Sequence, residues 1–465
     1  MSEHASGPTY PGSSPQDTVP PRDTGGRADE GIRLGLRENW KQFWLLVLVN
    51  AFVGAMVGLE RTVLPLIAEE DFGIVARGAI LSFIVTFGFV KAGTNFFAGR
   101  LGDLFGRKKV LLAGWLFGIP VPFLLMWAPS WSWIVFANVL LGVNQGLAWS
   151  TTVIMKFDLV GPRARGLAMG LNEFAGYLAV ALAALGTGYV AEAFGLRPEP
   201  FYLGIAFVAL GLGLTVLFVR ETTAHVALEA REHRSASDDP TLGGTLSGRE
   251  IFTLASWRHP ALFGSSQAGL VTNFKDGLAW GLFPLFFAAG GLSVSRIGIL
   301  TFIYPAMWGI LQLWTGGLSD RLGRKPLIAT GMLLQAAALW LVAASSTFWT
   351  WFIASALLGA GTALVYPTLL AAVADVAHPA WRGSAVGVYR LWRDSGYAFG
   401  AIVAGILADA FGIAPAIAVG GVLAFLSGVL IMARMPETLP ARTPSPPGLE
   451  GSADPNAPRS EQSRP

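Results

Sequence analysis

The sequence predicts an all-α membrane protein with twelve transmembrane helices arranged as two pseudo-symmetric six-helix bundles. Three observations predict it: a scarcity of charge, a succession of apolar runs near helix-spanning length, and one constant offset that superposes the two halves. Of the 465 residues only 14% are charged and 53% are hydrophobic, with a mean hydropathy of +0.52. A soluble domain carries about 25% charged residues, so this chain lacks the charge to cover a water-facing surface.

The elements follow in chain order. Residues 1–40 are rich in Pro, Gly and Ser, carry no secretory signal and read as a disordered tail. Residues 41–222 form an N-terminal six-helix unit, with apolar spans near 42–68, 78–99, 110–128, 133–156, 166–188 and 201–219. Each is long enough to cross a hydrocarbon core as a helix. Residues 223–258 are expected to be a polar linker loop. A second unit, 259–438, has spans near 260–288, 295–316, 326–345, 349–373, 383–408 and 413–434, and 439–465 is a second Pro-rich tail. The aromatic load, 16 Trp and 30 Phe, suits helix ends at a bilayer interface.

Positive charge alternates between connections. One set holds Arg100, Arg107, Lys108 and Lys109, then Arg163 and Arg165, Arg220, Arg231, Arg234, Arg249 and Arg258, then Arg321, Arg324, Lys325 and Arg382. The other set holds little beyond Arg77, Arg197 and Arg296. By the positive-inside rule both termini and the linker are cytoplasmic. The expected location is the bacterial cytoplasmic (inner) membrane, as a multi-pass protein with the lipid bilayer as its surroundings.

Several function classes fall away. There is no cysteine, and the five histidines (His4, His225, His233, His259, His378) lie in tails or polar connections, so neither a metal site nor a cofactor is expected. No phosphate-cradling G-x-x-x-x-G-K-[ST] loop occurs, which argues against an ATP-driven pump. An intramembrane enzyme would need a nucleophile with its base or a metal cluster, and with no cysteine and no histidine inside a span no enzyme is expected. A formal net charge of +3 predicts no nucleic-acid partner.

Shifting the second half over the first by 217 residues superposes "GRLGDLFGRKKVL" (Gly99 to Leu111) on "GGLSDRLGRKPLI" (Gly316 to Ile328). The same shift matches Asp158 with Asp375, Arg165-Gly166 with Arg382-Gly383, Gly170 with Gly387, Gly188 with Gly405, and Phe194-Gly195 with Phe411-Gly412. Parallel six-helix repeats related by an axis along the membrane normal are a known transporter plan.

On these residues the chain resembles the major facilitator superfamily across 41–438. The signature G-x-L-x-D-x-x-G-R-K appears as Gly99, Leu101, Asp103, Gly106, Arg107 and Lys108, with a second copy after the eighth span. The halves end on "RET" (Arg220 to Thr222) and "PET" (Pro436 to Thr438), also like that superfamily. The resemblance implies two bundles rocking about a central site, with helices 1, 4, 7 and 10 lining the cavity. Two departures weaken a multidrug-efflux reading. Gly142 and Val143-Asn144-Gln145-Gly146 lack the Arg of the fourth-helix pattern, and the fifth helix has no G-P-x-x-G-G run.

Charges inside spans are the main functional signal, because one at the bilayer centre costs at least about 2.5 kcal/mol. Glu60 and Arg61 lie in the first span, Lys91 in the second, Glu173 in the fifth, Lys275 and Asp276 in the seventh, and Arg390, Arg393 and Asp394 in the eleventh. Adjacent Glu60 and Arg61 do not share a helix face, whereas Arg390 and Asp394 are spaced to pair within one helix. Counted from Gly99, Lys91 lies about 12 Å inside its helix, a depth shared by Asp394; the resemblance implies that helices 2 and 11 face each other, so a gating bridge that forms when the cytoplasmic side closes is expected between them. Glu60, Asp276 and Glu173 are the candidate proton carriers. Asn144, Gln145, Trp149, Gln267, Asn273, Thr362 and Tyr366 complete an expected cavity wall with Glu60, Arg61, Lys275 and Asp276. Asp103, Arg107, Asp158 and Arg165, with Asp320, Arg324, Asp375 and Arg382, are expected to form a gating network at the cytoplasmic ends. The expected function is proton-coupled secondary transport of a small polar solute, anionic or zwitterionic. The alternatives are a multidrug or toxicant efflux antiporter and a non-transporting sensor or scaffold.

Overall fold

Burial of the apolar spans against one another produces an all-helical body in the computed structural model, which describes residues 33–160, 165–226, 228, 246–378 and 381–439, without the side chains of 165–167. Residues 1–32 and 440–465 of the two tails, with Arg163, Arg231 and Arg234, lie outside the described residues. The first half contains α1 (Trp40–Glu70), α2 (Ser82–Phe105), α3 (Arg107–Trp127), α4 (Trp131–Val160), α5 (Arg165–Phe194) and α6 (Tyr202–Leu217). The second contains α7 (Pro260–Ala289), α8 (Val294–Leu322), α9 (Arg324–Ala344), α10 (Phe348–Val376), α11 (Arg382–Phe411) and α12 (Ile413–Arg434). All twelve expected spans are present, and most run several residues past the apolar segment because a helix persists into the interfacial layer.

Among the described residues eight helices are apolar enough to read as spans by composition alone, and α2, α4, α7 and α11 are not among them. Three of these four carry the in-span charges Lys91, Lys275, Asp276, Arg390, Arg393 and Asp394. Their charged residues turn toward other helices, while residues such as Phe96, Phe97, Leu217, Trp314 and Ile406 are exposed on the outer surface.

The linker departs from an all-loop expectation. Ser247 caps a short helix, Gly248–Thr253, in a reciprocal box with Glu250, and a π-turn (Leu254–Arg258) leads into α7. Trp392 of α11 donates to Ser256 Oγ at 2.9 Å and holds this segment to the second half.

Sharp turns join α2 to α3 and α8 to α9 through Gly106 (φ +90°) and Gly323 (φ +98°). That backbone region favours glycine, which explains the glycine of each signature copy. Acids brace the same junctions. Glu221 accepts from the N–H groups of Arg107 and Lys108 (3.0 and 2.9 Å), and Glu437 accepts from those of Arg324 and Lys325 (2.8 and 3.1 Å). The carboxylates sit where helix dipoles favour negative charge.

Across the halves α2 packs on α11, α5 on α8 and α1 on α7, a symmetric set under the 217-residue offset. The two ends of the body differ. One large apolar cluster runs through both halves and includes Leu159 and Val219 toward the terminal end of the first. Three smaller clusters toward the end bearing the termini each lie within one half, one in the second and two in the first. The far end is sealed by a matched pair of contacts. Glu192 of α5 accepts from Ser295 N at 2.6 Å, and Asp409 of α11 accepts from Arg77 N and Gly78 N at 2.5 and 2.9 Å. Glycines permit the approach: a Cβ on Gly188 would lie 2.9 Å from Gly298 Cα, and one on Gly405 would lie 2.6 Å from Gly78 Cα. Among the described residues the hydrogen bonds and ion pairs between the halves run from this end to a little past mid-depth, where Asn95 meets Asp394 and Tyr177 meets Tyr366. The body is closed at the far end and parted at the terminal end.

Candidate functional site

α1 and α7 cross near the centre, and each carries an adjacent acid–base pair. Adjacent residues point apart on a helix, so each pair divides between two partners. Arg61 reaches across the halves and grips Asp276 with two hydrogen bonds of 2.9 Å, and both side chains are buried. The guanidinium also lies 5.1 Å from the Trp280 ring, and a small cavity lined by Arg61, Trp280, Phe283, Thr301 and Tyr304 adjoins it. Counted along α1, Arg61 is about 14 Å from its far end. Glu60 turns back into its own bundle, where Asn138 donates to Oε1 at 3.3 Å and Oε2 has no partner. Lys275 donates to Tyr304 Oη and, at 2.7 Å, to Thr362 Oγ1, with the Trp308 ring 5.4 Å away.

A second group sits between α2, α4, α5 and α11. Asp394 is fully buried and held by Arg393, whose Nε and Nη2 donate at 2.8 and 3.0 Å. Asn95 of the other half donates to the same carboxylate at 2.6 Å, and Asn273 does so at 3.4 Å. The expected Arg390–Asp394 pairing is therefore replaced. Arg393, pinned by the Tyr366 and Tyr389 rings at 5.0 and 5.8 Å, folds along the backbone to its neighbour. The expected bridge from Lys91 to Asp394 is not formed in this conformation. Lys91 Nζ instead occupies an aromatic cage of Phe87, Trp149 and Tyr397, at 5.4, 5.8 and 5.0 Å. Glu173 accepts from Trp149 Nε1 at 3.0 Å and Asn172 Nδ2 at 2.8 Å, and its Oε2 has no partner.

Several expected wall residues lie elsewhere. Asn144 donates to the Gly114 carbonyl at 2.9 Å, and Gln145 to Val53 O at 2.8 Å, both within the first bundle. Gln267 accepts from Ser427 Oγ at 2.8 Å within the second. The reason is general: a buried amide finds its partner on the nearest helix before it finds a cavity. Thr362 and Tyr366 do stand at the centre, the latter accepting from Tyr177 Oη across the halves at 3.3 Å.

At the terminal end the expected charge network forms inside each half. Arg107 pairs with Asp103 at 2.6 Å and lies 3.4 Å from Asp158, which also accepts from Thr222 Oγ1 at 2.7 Å. Arg324 repeats the pattern with Asp320 at 2.6 Å and Asp375 at 3.0 Å. Arg382 donates to the Ala377 carbonyl at 3.1 Å, and the Arg165 side chain lies outside the described residues.

Sequence reasoning missed Tyr177, Trp308, Asn95, Lys156, Glu192 and Asp409. Lys156 is buried and donates to Leu46 O at 3.3 Å. The last two had a legible signal, since an acid stands three residues before the glycine in both "EAFG" and "DAFG".

A family model described as Major Facilitator Superfamily matches residues 43–291 and 266–462. A multidrug resistance protein MdtG of Citrobacter koseri is 30% identical over 387 residues, covering 80% of this chain and 90% of that relative. The MdtG of Klebsiella pneumoniae is 26% identical over 310 residues, covering 64% of this chain and 70% of the relative. Among solved structures, a POT family transporter in complex with 5-aminolevulinic acid aligns with a TM-score of 0.64 and 13% identity, covering 84% of this chain and 95% of that one. At that identity the likeness is one of fold alone.

Proposed function

The chain belongs to the major facilitator superfamily of membrane transporters, and from that premise we propose that it moves a small polar solute by alternating access, coupled to protons. Under this reading it lies in the bacterial inner membrane with both termini in the cytoplasm. The observation that carries the proposal is the buried Arg61–Asp276 pair, which supplies one charge from each half. Such a pair holds the halves together while both partners are ionised and opposed, and it sets them free when either is engaged elsewhere. Asp276, with both oxygens occupied, acts as a lock. Glu60 and Glu173, each with an unpartnered oxygen, act as proton carriers.

The test is to reconstitute the protein in vesicles containing a pH reporter and add pools of organic acids, sugars, amino acids and drugs. One pool is expected to shift the internal pH. Glu60→Gln is expected to abolish that shift while leaving solute-for-solute exchange intact. Solute flux with no pH response in the unaltered protein would sink proton coupling.

A second reading, multidrug export, is supported by the 30% identity to a relative named for multidrug resistance. It requires that cells expressing the protein tolerate several chemically unrelated drugs, whereas a dedicated transporter alters handling of one chemical class.

A further inference from the structure

We propose that the space between the halves, from mid-depth toward the chain termini, is a binding site for an organic anion, with Lys91 and Arg390 as the groups that receive its acidic end. The inference rests on the transporter reading and names the substrate class of that same site.

The argument starts from charge. Of the cations around this space, Arg393 is neutralised by Asp394, which it grips at 2.8 and 3.0 Å. Lys91 and Arg390 have no ion-pair partner among the described residues, and Arg390 Nε is buried without a hydrogen bond. The carboxylates that bear on both are Asp394, already paired, and Glu173. Two cations therefore face a single uncommitted carboxylate.

Position comes next. Counted from the terminal end of α11, Arg390 lies about 12 Å deep, and Lys91 lies about 21 Å from the corresponding end of α2. The two make a ladder from the parted end to mid-depth. Lys91, Trp149 and Arg390 keep a minor part of their surface exposed although the helices that carry them are packed among others.

The surroundings specify the rest of the ligand. Phe87, Trp149 and Tyr397 stabilise the Lys91 ammonium through their ring faces without neutralising it, so its charge remains available to a ligand. Trp149 and Tyr366 also offer flat apolar area beside the cations, suited to an aromatic or alkyl body. A carboxylate or phosphonate carrying such a body would satisfy both features. A lipophilic cation would meet Lys91 and Arg390 as repulsion.

The experiment uses the full-length protein in detergent and a matched series of aryl and alkyl carboxylates, phosphonates, carboxamides and amines, with binding measured by calorimetry. Acids are expected to bind and the amides and amines of equal size to be rejected. Lys91→Gln and Arg390→Gln should each weaken acid binding by about tenfold or more, the loss of one charged hydrogen bond, while Lys91→Arg stays near the starting affinity. Equal binding of amines or amides, binding by no acid, or acid binding indifferent to both glutamine variants would overturn the site. If the glutamine variants fail to fold, the preference of the unaltered protein among acids, amides and amines decides by itself. Proton-coupled flux of a cationic drug with no acid bound would keep the transporter reading and remove the anion site. Acid binding that responds to Lys91 with no flux in vesicles would keep the site and remove the transporter reading.

Discussion

Arg61 and Asp276 show how a residue that looks prohibitive alone becomes tolerable in company. Each would be costly unpaired inside a membrane protein, and together they satisfy one another bidentately. Removing one partner should therefore cost more than removing both. Arg61→Gln or Asp276→Asn is expected to lower unfolding stability by about 3–5 kcal/mol, and the double variant to recover much of it. Thermal unfolding of the four proteins in one detergent checks this; a double variant that only adds the two losses would show that the pair does not act as a unit. At this scale the sequence was a partial guide. It marked which buried charges needed partners and showed that Glu60 and Arg61 would part company. It did not show that Asn144, Gln145 and Gln267 would spend their hydrogen bonds inside their own bundles, because an amide's partner depends on which helix lies opposite.

Among elements, the turns at Gly106 and Gly323 and their bracing acids respond to pH. Burial alone would raise the Glu221 carboxyl, but hydrogen bonds from Thr223 and from the N–H groups of Lys108 and Arg107 outweigh it and hold the pKa below its ordinary 4.5. Glu437 behaves alike: burial is outweighed by the N–H groups of Leu439, Arg324 and Lys325. A carboxyl depressed on folding contributes stability that is full above its unfolded pKa and is lost as pH falls through the folded one. Stability should therefore drop as pH falls below about 4.5, and the drop should shrink in Glu221→Gln with Glu437→Gln, as followed by denaturation across pH. The far-end contacts give another test. Glu192→Gln with Asp409→Asn should loosen the seal, so that a cysteine placed at Thr301, beside the small internal cavity, gains reactivity toward a membrane-impermeant maleimide from that side. The chain's lack of native cysteine makes the readout clean. Unchanged labelling would mean that packing alone keeps the end shut.

For the whole molecule, the parted terminal end predicts one-sided access. A Cβ at Gly387 would meet nothing within 4 Å, and one at its repeat mate Gly170 would meet only the Gln312 carbonyl at 3.9 Å. Cysteine at Gly387 should thus label from the side of the chain termini, which is the cytoplasm in the proposed orientation. Labelling of sealed, right-side-out cells by the impermeant reagent would contradict either the open end or that orientation. The helix count, the duplication and the existence of central charges were determined by the sequence itself, because hydropathy, span length and a constant offset are properties of the chain read along its length. The tertiary structure alone decided which charges meet: Arg61 with Asp276, Arg393 with Asp394, Lys91 in a cage of rings, and Glu192 and Asp409 on the opposite half. These pairings join residues more than a hundred positions apart or turn on the rotation of one helix against another. Spacing along the chain records which face a residue occupies, but not what stands across from it.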